Sequence, residues 1–107
     1  MTIDILEFIK SCIKRRRIYW TYHVNVRLKG RSISRELVLA SVDSYEIIEE
    51  YPEDKYLPSY LIYAEYKEEI IHILIAADQE NDNIRIITAY RPSLDKWKSD
   101  FKTRRIQ

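Results

Sequence analysis

Glu69-Ile-Ile-His-Ile-Leu-Ile-Ala-Ala-Asp-Gln-Glu-Asn-Asp-Asn-Ile-Arg-Ile-Ile-Thr-Ala-Tyr90 decides the fold. Residues 69–77 are nearly all apolar, as expected of a central strand covered on both faces. Residues 78–83 are a run of turn-forming polar side chains. Residues 84–90 read as the next strand. So short a connection favours antiparallel pairing.

Working outward, residues 59–66 and 46–51 are two further strands, parted by a polar loop bounded by Pro52 and Pro58. Upstream the period changes to that of helices. Ile5, Leu6, Phe8, Ile9, Cys12 and Ile13 recur at helical spacing and predict an amphipathic helix over 3–16, with Thr2 able to cap it. Arg15, Arg16 and Arg17 suit the negative end of its dipole. The aromatic, β-prone stretch 18–22 stops that helix. A second helix over 23–29 ends at Gly30, the one glycine of the chain, which accepts positive φ. Ser34 caps a third, with Leu37, Val38, Ser41 and Val42 facing inward. Downstream, Pro92 ends the last strand. Residues 94–102 are predicted to be a C-terminal helix with Trp97 and Phe101 inward and Lys98 and Lys102 outward. The expected fold is one α+β domain over 1–107: N-terminal helices, a four-stranded antiparallel meander and a C-terminal helix, with the helices on one face.

At 107 residues, roughly two-thirds of the unfolded surface can be buried, enough for a core without staples. The single Cys rules out an internal disulfide and agrees with a reducing, cytoplasmic setting. No signal peptide is visible, and the apolar run 73–77 is far too short to span a bilayer. The net charge of +1 hides a segregation. Residues 1–35 hold nine Lys/Arg against two Asp/Glu, residues 36–83 two against thirteen, and residues 84–107 seven against two. Two basic ends that converged in space would attract a polyanion. Local ion pairing would use the same residues.

Tyr22-His23, Arg27, Leu28, Arg31 and Ile33-Ser34 resemble the opening motif of a bacterial domain-of-unknown-function family. Ile48-Glu49-Glu50-Tyr51-Pro52, Asp54-Lys55-Tyr56 and Pro58-Ser59-Tyr60-Leu61 match its middle. Ile86-Ile87-Thr88-Ala89-Tyr90, Pro92, Lys96-Trp97, Asp100-Phe101 and Arg104-Arg105 match its end. The likeness covers about residues 19–105, so that 1–17 is a separate N-terminal addition to a core over 18–107. The family usually has glycine where this chain has Ser32. It is similar to BrnT-type toxins, ribonucleases of the RelE/ParE-like fold, whose members are often paired with small antitoxin-like proteins. The resemblance implies a RelE-like fold, RNA as substrate and an antitoxin-like partner.

His23, Arg27 and Arg31 recur every four residues, on one helix face. Imidazole is the side chain best suited to acid–base work near neutrality, and arginine offers a fixed fork to phosphate oxygens. Together they suit metal-independent RNA cleavage. Tyr90 joins them as a catalytic candidate through its place in the motif. Thr88, Lys98, Lys102, Arg104 and Arg105 are candidate substrate contacts, because a RelE-like topology would bring the chain's basic end beside the first. His72 fits a satisfied position on a sheet face. Two His and one Cys give no zinc spacing, and a chain with one glycine cannot build a glycine-rich phosphate loop, so no metal or cofactor is expected. Three functions stay open: a toxin-like endoribonuclease, a non-catalytic nucleic-acid-binding module, and a protein–protein module using the acidic, tyrosine-rich middle.

Overall fold

The computed structural model describes residues 4–106. Its elements are α1 (Ile5–Arg15), β1 (Ile18–Trp20), α2 (Tyr22–Gly30), α3 (Arg35–Ala40), β2 (Glu46–Tyr51), β3 (Ser59–Tyr66), β4 (Glu69–Asp78) and β5 (Asn83–Tyr90), with a 3-10 turn at Val42–Ser44. The class is α+β, as expected. The sheet differs from expectation: it has five strands in the order β1-β5-β4-β3-β2. Strands β2 to β5 form the antiparallel meander, and β1 adds a parallel edge by pairing Ile18 to Ile84 and Trp20 to Ile86. The aromatic stretch that stops the first helix is thus a strand of only three residues.

Each helix begins on a side-chain cap. The Asp4 carboxylate accepts from the Leu6 amide at 2.9 Å, so α1 is capped there; Thr2 lies outside the described residues. Thr21 Oγ1 accepts from the Val24 amide at 3.1 Å, and Ser34 Oγ from the Leu37 amide at 3.0 Å. Helix α2 ends where Gly30 stands, but the left-handed residue is Ser32, with φ 56°. The Ile33 amide reaches back to the Leu28 carbonyl (2.9 Å) and the Ser32 amide to the Lys29 carbonyl (3.2 Å), the two bonds of a Schellman closure. Glycine's freedom is therefore called for at Ser32.

All three helices pack on one face of the sheet. Ile9, Cys12 and Ile13 of α1, Val24 and Leu28 of α2, and Val38 of α3 meet Ile62, Ile71, Ile73, Ile75, Ile84 and Ile86 in one core. Each fully buried aliphatic side chain of this kind stabilises the fold by about 1.5–3 kcal/mol.

The other face is open at one end and crossed at the other by residues 91–106. No helix forms over 94–102. The Asp100 carboxylate takes the amides of Lys102 (2.9 Å) and Thr103 (3.0 Å) and the Thr103 hydroxyl (2.8 Å). A short side chain that bonds nearby amides competes with helix hydrogen bonding. Phe101 lies at φ 56°, and Lys98 and Thr103 pair as the chain doubles back, bridging Trp97 to Arg104. Trp97 and Phe101 are therefore not a helical pair: Trp97 alone is buried, packed edge-on against His72.

Candidate functional site

Helix α2 carries His23 and Arg27, and its C-cap residue Arg31, past the edge of the sheet. Val24 and Leu28 hold it to the core, and β1 stops at Trp20. Beyond that point, among the described residues, the edge of β5 away from β4 has no strand beside it. Arg31 fills the gap: its Nη1 donates to the Ala89 carbonyl at 2.7 Å and to Thr88 Oγ1 at 3.1 Å. Arg91 then donates to the carbonyls of Arg31 (2.7 Å) and Ser32 (3.2 Å), closing the helix end. The third member of the row thus serves as a strap between α2 and β5.

The other two members face a hollow of about 610 Å³, lined also by Lys55, Tyr56, Arg85 and Ile87. Both His23 and Arg27 are exposed, and among the described residues neither side chain makes a hydrogen bond or ion pair. Arg85 is likewise free of any carboxylate there and lies over the Tyr19 ring at 5.9 Å. One carboxylate, that of Asp54, lines the hollow and accepts from the Ser59 hydroxyl. Three cations against one anion favour an anionic ligand.

Two more hollows adjoin this one. Asp54 is shared with a hollow of about 310 Å³ lined by Tyr51, Leu61, Leu74, Thr88, Tyr90 and Arg104. Thr21 and Arg85 are shared with a hollow of about 530 Å³ whose other walls are Tyr19, Asp78, Asn81 and Asn83. The three lie side by side along the open face.

A bulge puts Thr88 and Tyr90 in that row. Simple alternation sets them with Ile84 and Ile86 and turns Arg85 away. In the structure β5 pairs Ile86 with Ile75 and Thr88 with Leu74, leaving Ile87 as an extra residue. One inserted residue reverses every later side chain. Arg85, Thr88 and Tyr90 consequently share the open face.

Beneath Tyr90 sits His72, fully buried and directly opposite it in the strand register. His72 Nε2 is 2.7 Å from the Phe101 carbonyl, which can only accept, so Nε2 carries the proton. Nδ1 is then an acceptor, and the Tyr90 hydroxyl at 3.2 Å donates to it. Burial lowers the His72 pKa, which agrees with a neutral ring. Burial raises the Tyr90 phenol. Tyr90 therefore keeps its proton, directed inward.

The basic end of the chain is largely engaged. Arg104 donates to both oxygens of Glu49 (Nε 2.6 Å, Nη2 3.1 Å) and lies 4.6 Å over the Trp97 ring. That guanidinium holds the Glu49 carboxyl below the usual carboxylate range, with help from the Tyr51 hydroxyl. Lys102 pairs with Glu46 at 2.9 Å and covers the Tyr63 ring. Arg105 donates to the Trp97 carbonyl at 3.1 Å and to that of Leu94. The exposed Lys98 belongs to the doubled-back turn. Of the nine residues singled out from sequence, His23 and Arg27 share one hollow. Thr88, Tyr90 and Arg104 share the next. Arg31, Lys98, Lys102 and Arg105 line none of the three. Arg85, Lys55 and Tyr56 were missed; the adjacent Ile86 and Ile87 were the one sign of a broken alternation.

A family model, "Domain of unknown function (DUF4258)", matches residues 20–91, more than half of the chain. The chain belongs to this family. No curated protein and no solved structure matches it. The DUF4258 span runs from the end of β1 to Arg91 and so contains His23, Arg27, Arg31, Arg85, Thr88 and Tyr90. Helix α1 and the 91–106 arm, with Lys98, Lys102, Arg104 and Arg105, fall outside it apart from Arg91 itself. The family match is shorter at its C-terminal end than the 19–105 likeness read from sequence.

Proposed function

We propose that this DUF4258 protein is a toxin-like endoribonuclease that acts without a metal, similar in kind to the BrnT-type toxins. The observation that carries the reading is the shared hollow of His23, Arg27 and Arg85, in which neither guanidinium has a carboxylate partner among the described residues. Arg27 and Arg85 would hold the non-bridging oxygens of a phosphodiester. Neutral His23 would take the 2′-hydroxyl proton as O2′ bonds to phosphorus. The P–O5′ bond breaks, and the imidazolium returns a proton to O5′, leaving a 2′,3′-cyclic phosphate and a 5′-hydroxyl. A partner of antitoxin type would mask these cations with an acidic segment.

One observation favours a second reading, a groove that binds RNA without cutting it. The Tyr90 proton is committed to His72, so Tyr90 does not serve His23 as a second acid–base group. A single assay separates the two. Labelled RNA is incubated with excess EDTA and either wild type or His23→Ala. The wild type is expected to release cyclic-phosphate ends, and His23→Ala to lose about 10²–10⁴-fold in rate. Equal cleavage by both proteins, or none by the wild type, removes the enzyme reading. Uncut RNA bound with a steep salt dependence supports the second.

A further inference from the structure

We infer that the RNA taken by the hollow of His23, Arg27 and Arg85 is single-stranded, and that it is seated by stacking its bases on the rings of Tyr19 and Tyr56. The inference rests on the RNA reading of that same hollow. Burying an aromatic ring is among the larger gains a chain makes on folding. Yet Tyr19 is 59%, Tyr22 79% and Tyr56 83% exposed, the three most exposed aromatic residues among those described. All three gather at the one hollow. Tyr56 lines it. Tyr19 lines the next, which shares Thr21 and Arg85 with it. The Tyr22 ring meets that of His23 edge-on, with centroids 6.2 Å apart.

The sheet sets Tyr19 and the loop of Tyr56 on opposite sides of the hollow. In the strand register Tyr19 pairs with Arg85, Arg85 with Ala76, and Ala76 with Ser59. That row crosses three strand spacings, about 14 Å, and Ala76 and Arg85 line the hollow between its ends. Ser59 closes the loop that carries Tyr56. Its hydroxyl donates to Asp54, and the Ala77 amide donates to the Pro58 carbonyl at 3.0 Å, so the loop is tied to the sheet. Each ring also has a cation over it: Arg85 lies 5.9 Å from the Tyr19 centroid and Lys55 5.3 Å from that of Tyr56. Exposed rings interleaved with cations match a chain of flat bases joined by phosphates. Bases on the two rings would bring the linking phosphates to Arg27 and Arg85. A duplex keeps its base faces stacked inside the helix and offers a protein its shape and backbone instead. Every base has a flat face, so stacking here is tolerant of sequence.

The test uses a labelled, mixed-sequence 2′-O-methyl RNA dodecamer, which lacks the attacking hydroxyl, so that binding is read apart from cleavage. It is titrated by fluorescence anisotropy as a single strand, as a duplex with its complement, and as an abasic chain of the same length. The proteins are wild type, Tyr19→Ala/Tyr56→Ala, Tyr19→Phe/Tyr56→Phe and Tyr66→Ala, each first checked for a native circular dichroism spectrum. Both rings are exposed, so truncating them leaves the core untouched. At about fivefold for each stacked base, the wild type is expected to bind the single strand about 25-fold more tightly than the abasic chain. It is expected to bind the duplex more weakly than the single strand. The alanine pair should bind the single strand no better than the abasic chain. The phenylalanine pair, which keeps both rings, and Tyr66→Ala, which lies outside the hollows, should bind as the wild type does. A duplex bound as tightly as the single strand, an abasic chain bound as tightly by the wild type, or a phenylalanine pair that behaves like the alanine pair overturns the stacking and leaves the groove standing. So does an advantage of the single strand that survives the alanine pair. Binding of none of the three probes overturns both.

Discussion

Ser32 and His72 each show one residue held in a state its chemistry resists. Ser32 sits at φ 56°, where an L side chain crowds its own carbonyl at a cost of about 1 kcal/mol. The Schellman bonds around it enforce that conformation. Ser32→Gly is expected to raise unfolding free energy by about 0.5–1 kcal/mol in urea titrations, with the slope unchanged. His72 is kept neutral by burial against its ordinary value of 6.5. Above that pH both folded and unfolded chains carry a neutral ring. As pH falls through it, the unfolded chain binds the proton and the folded one does not, so stability drops. Glu49 favours the protonated ring and Arg104 opposes it, leaving desolvation as the larger effect. Urea titrations from pH 8 to 5 should show this loss in the wild type. His72→Phe, though less stable throughout, should lose less over the same range.

At the scale of elements, the 91–106 arm departs most from what the sequence predicts, and it depends on one anchor. Trp97 is buried against His72, and Arg104 clamps the arm's end to Glu49 on β2. Truncating a buried Trp to Ala costs about 3–5 kcal/mol. The clamp is half exposed and contributes about 1 kcal/mol at most. Trp97→Ala should therefore free amides 94–105 to exchange with solvent far faster than Arg104→Ala does, while β4 amides stay protected longer than those of the arm. Equal exchange in the two variants would show that the ion pair, and not the ring, holds the arm. The bulge at Ile87 is the second such device. It aims Thr88 and Tyr90 at the open face and leaves the Ala89 carbonyl for Arg31.

Across the whole molecule, five cations of the two basic segments, Lys14, Arg15, Arg91, Lys102 and Arg104, pair with carboxylates of the acidic middle. Arg15 donates to both oxygens of Asp82, Arg17 to the carbonyls of Asn81 and Asp82, and Lys14 pairs with Asp43. At the other end Lys102 and Arg104 meet Glu46 and Glu49. The acidic middle thus holds the two basic ends in place. The cations that line the hollow are Arg27, Arg85 and Lys55, with His23 beside them, and of these four only Arg27 and His23 stood out in the sequence. Across the described residues, no helix is long and apolar enough to cross a membrane.

The sequence alone determined every element that draws on local chemistry. The meander strands follow from β-branched runs broken by polar turns, and the helices from apolar spacing and from Ser34 as a cap. Gly30 marks the end of α2 to within two residues of the left-handed position. Tertiary structure decided whatever depends on a distant partner. The three residues of β1 are too few to declare themselves and become a strand only because β5 offers an edge. Residues 94–102 have helical spacing, yet Trp97 gains more by burial against His72 than a short helix would give. The His23–Arg27–Arg31 row is legible as a spacing, but which of its cations faces a ligand depends on where β1 stops. That boundary leaves Arg31 to bond the bare edge of β5 and Arg27 open to solvent.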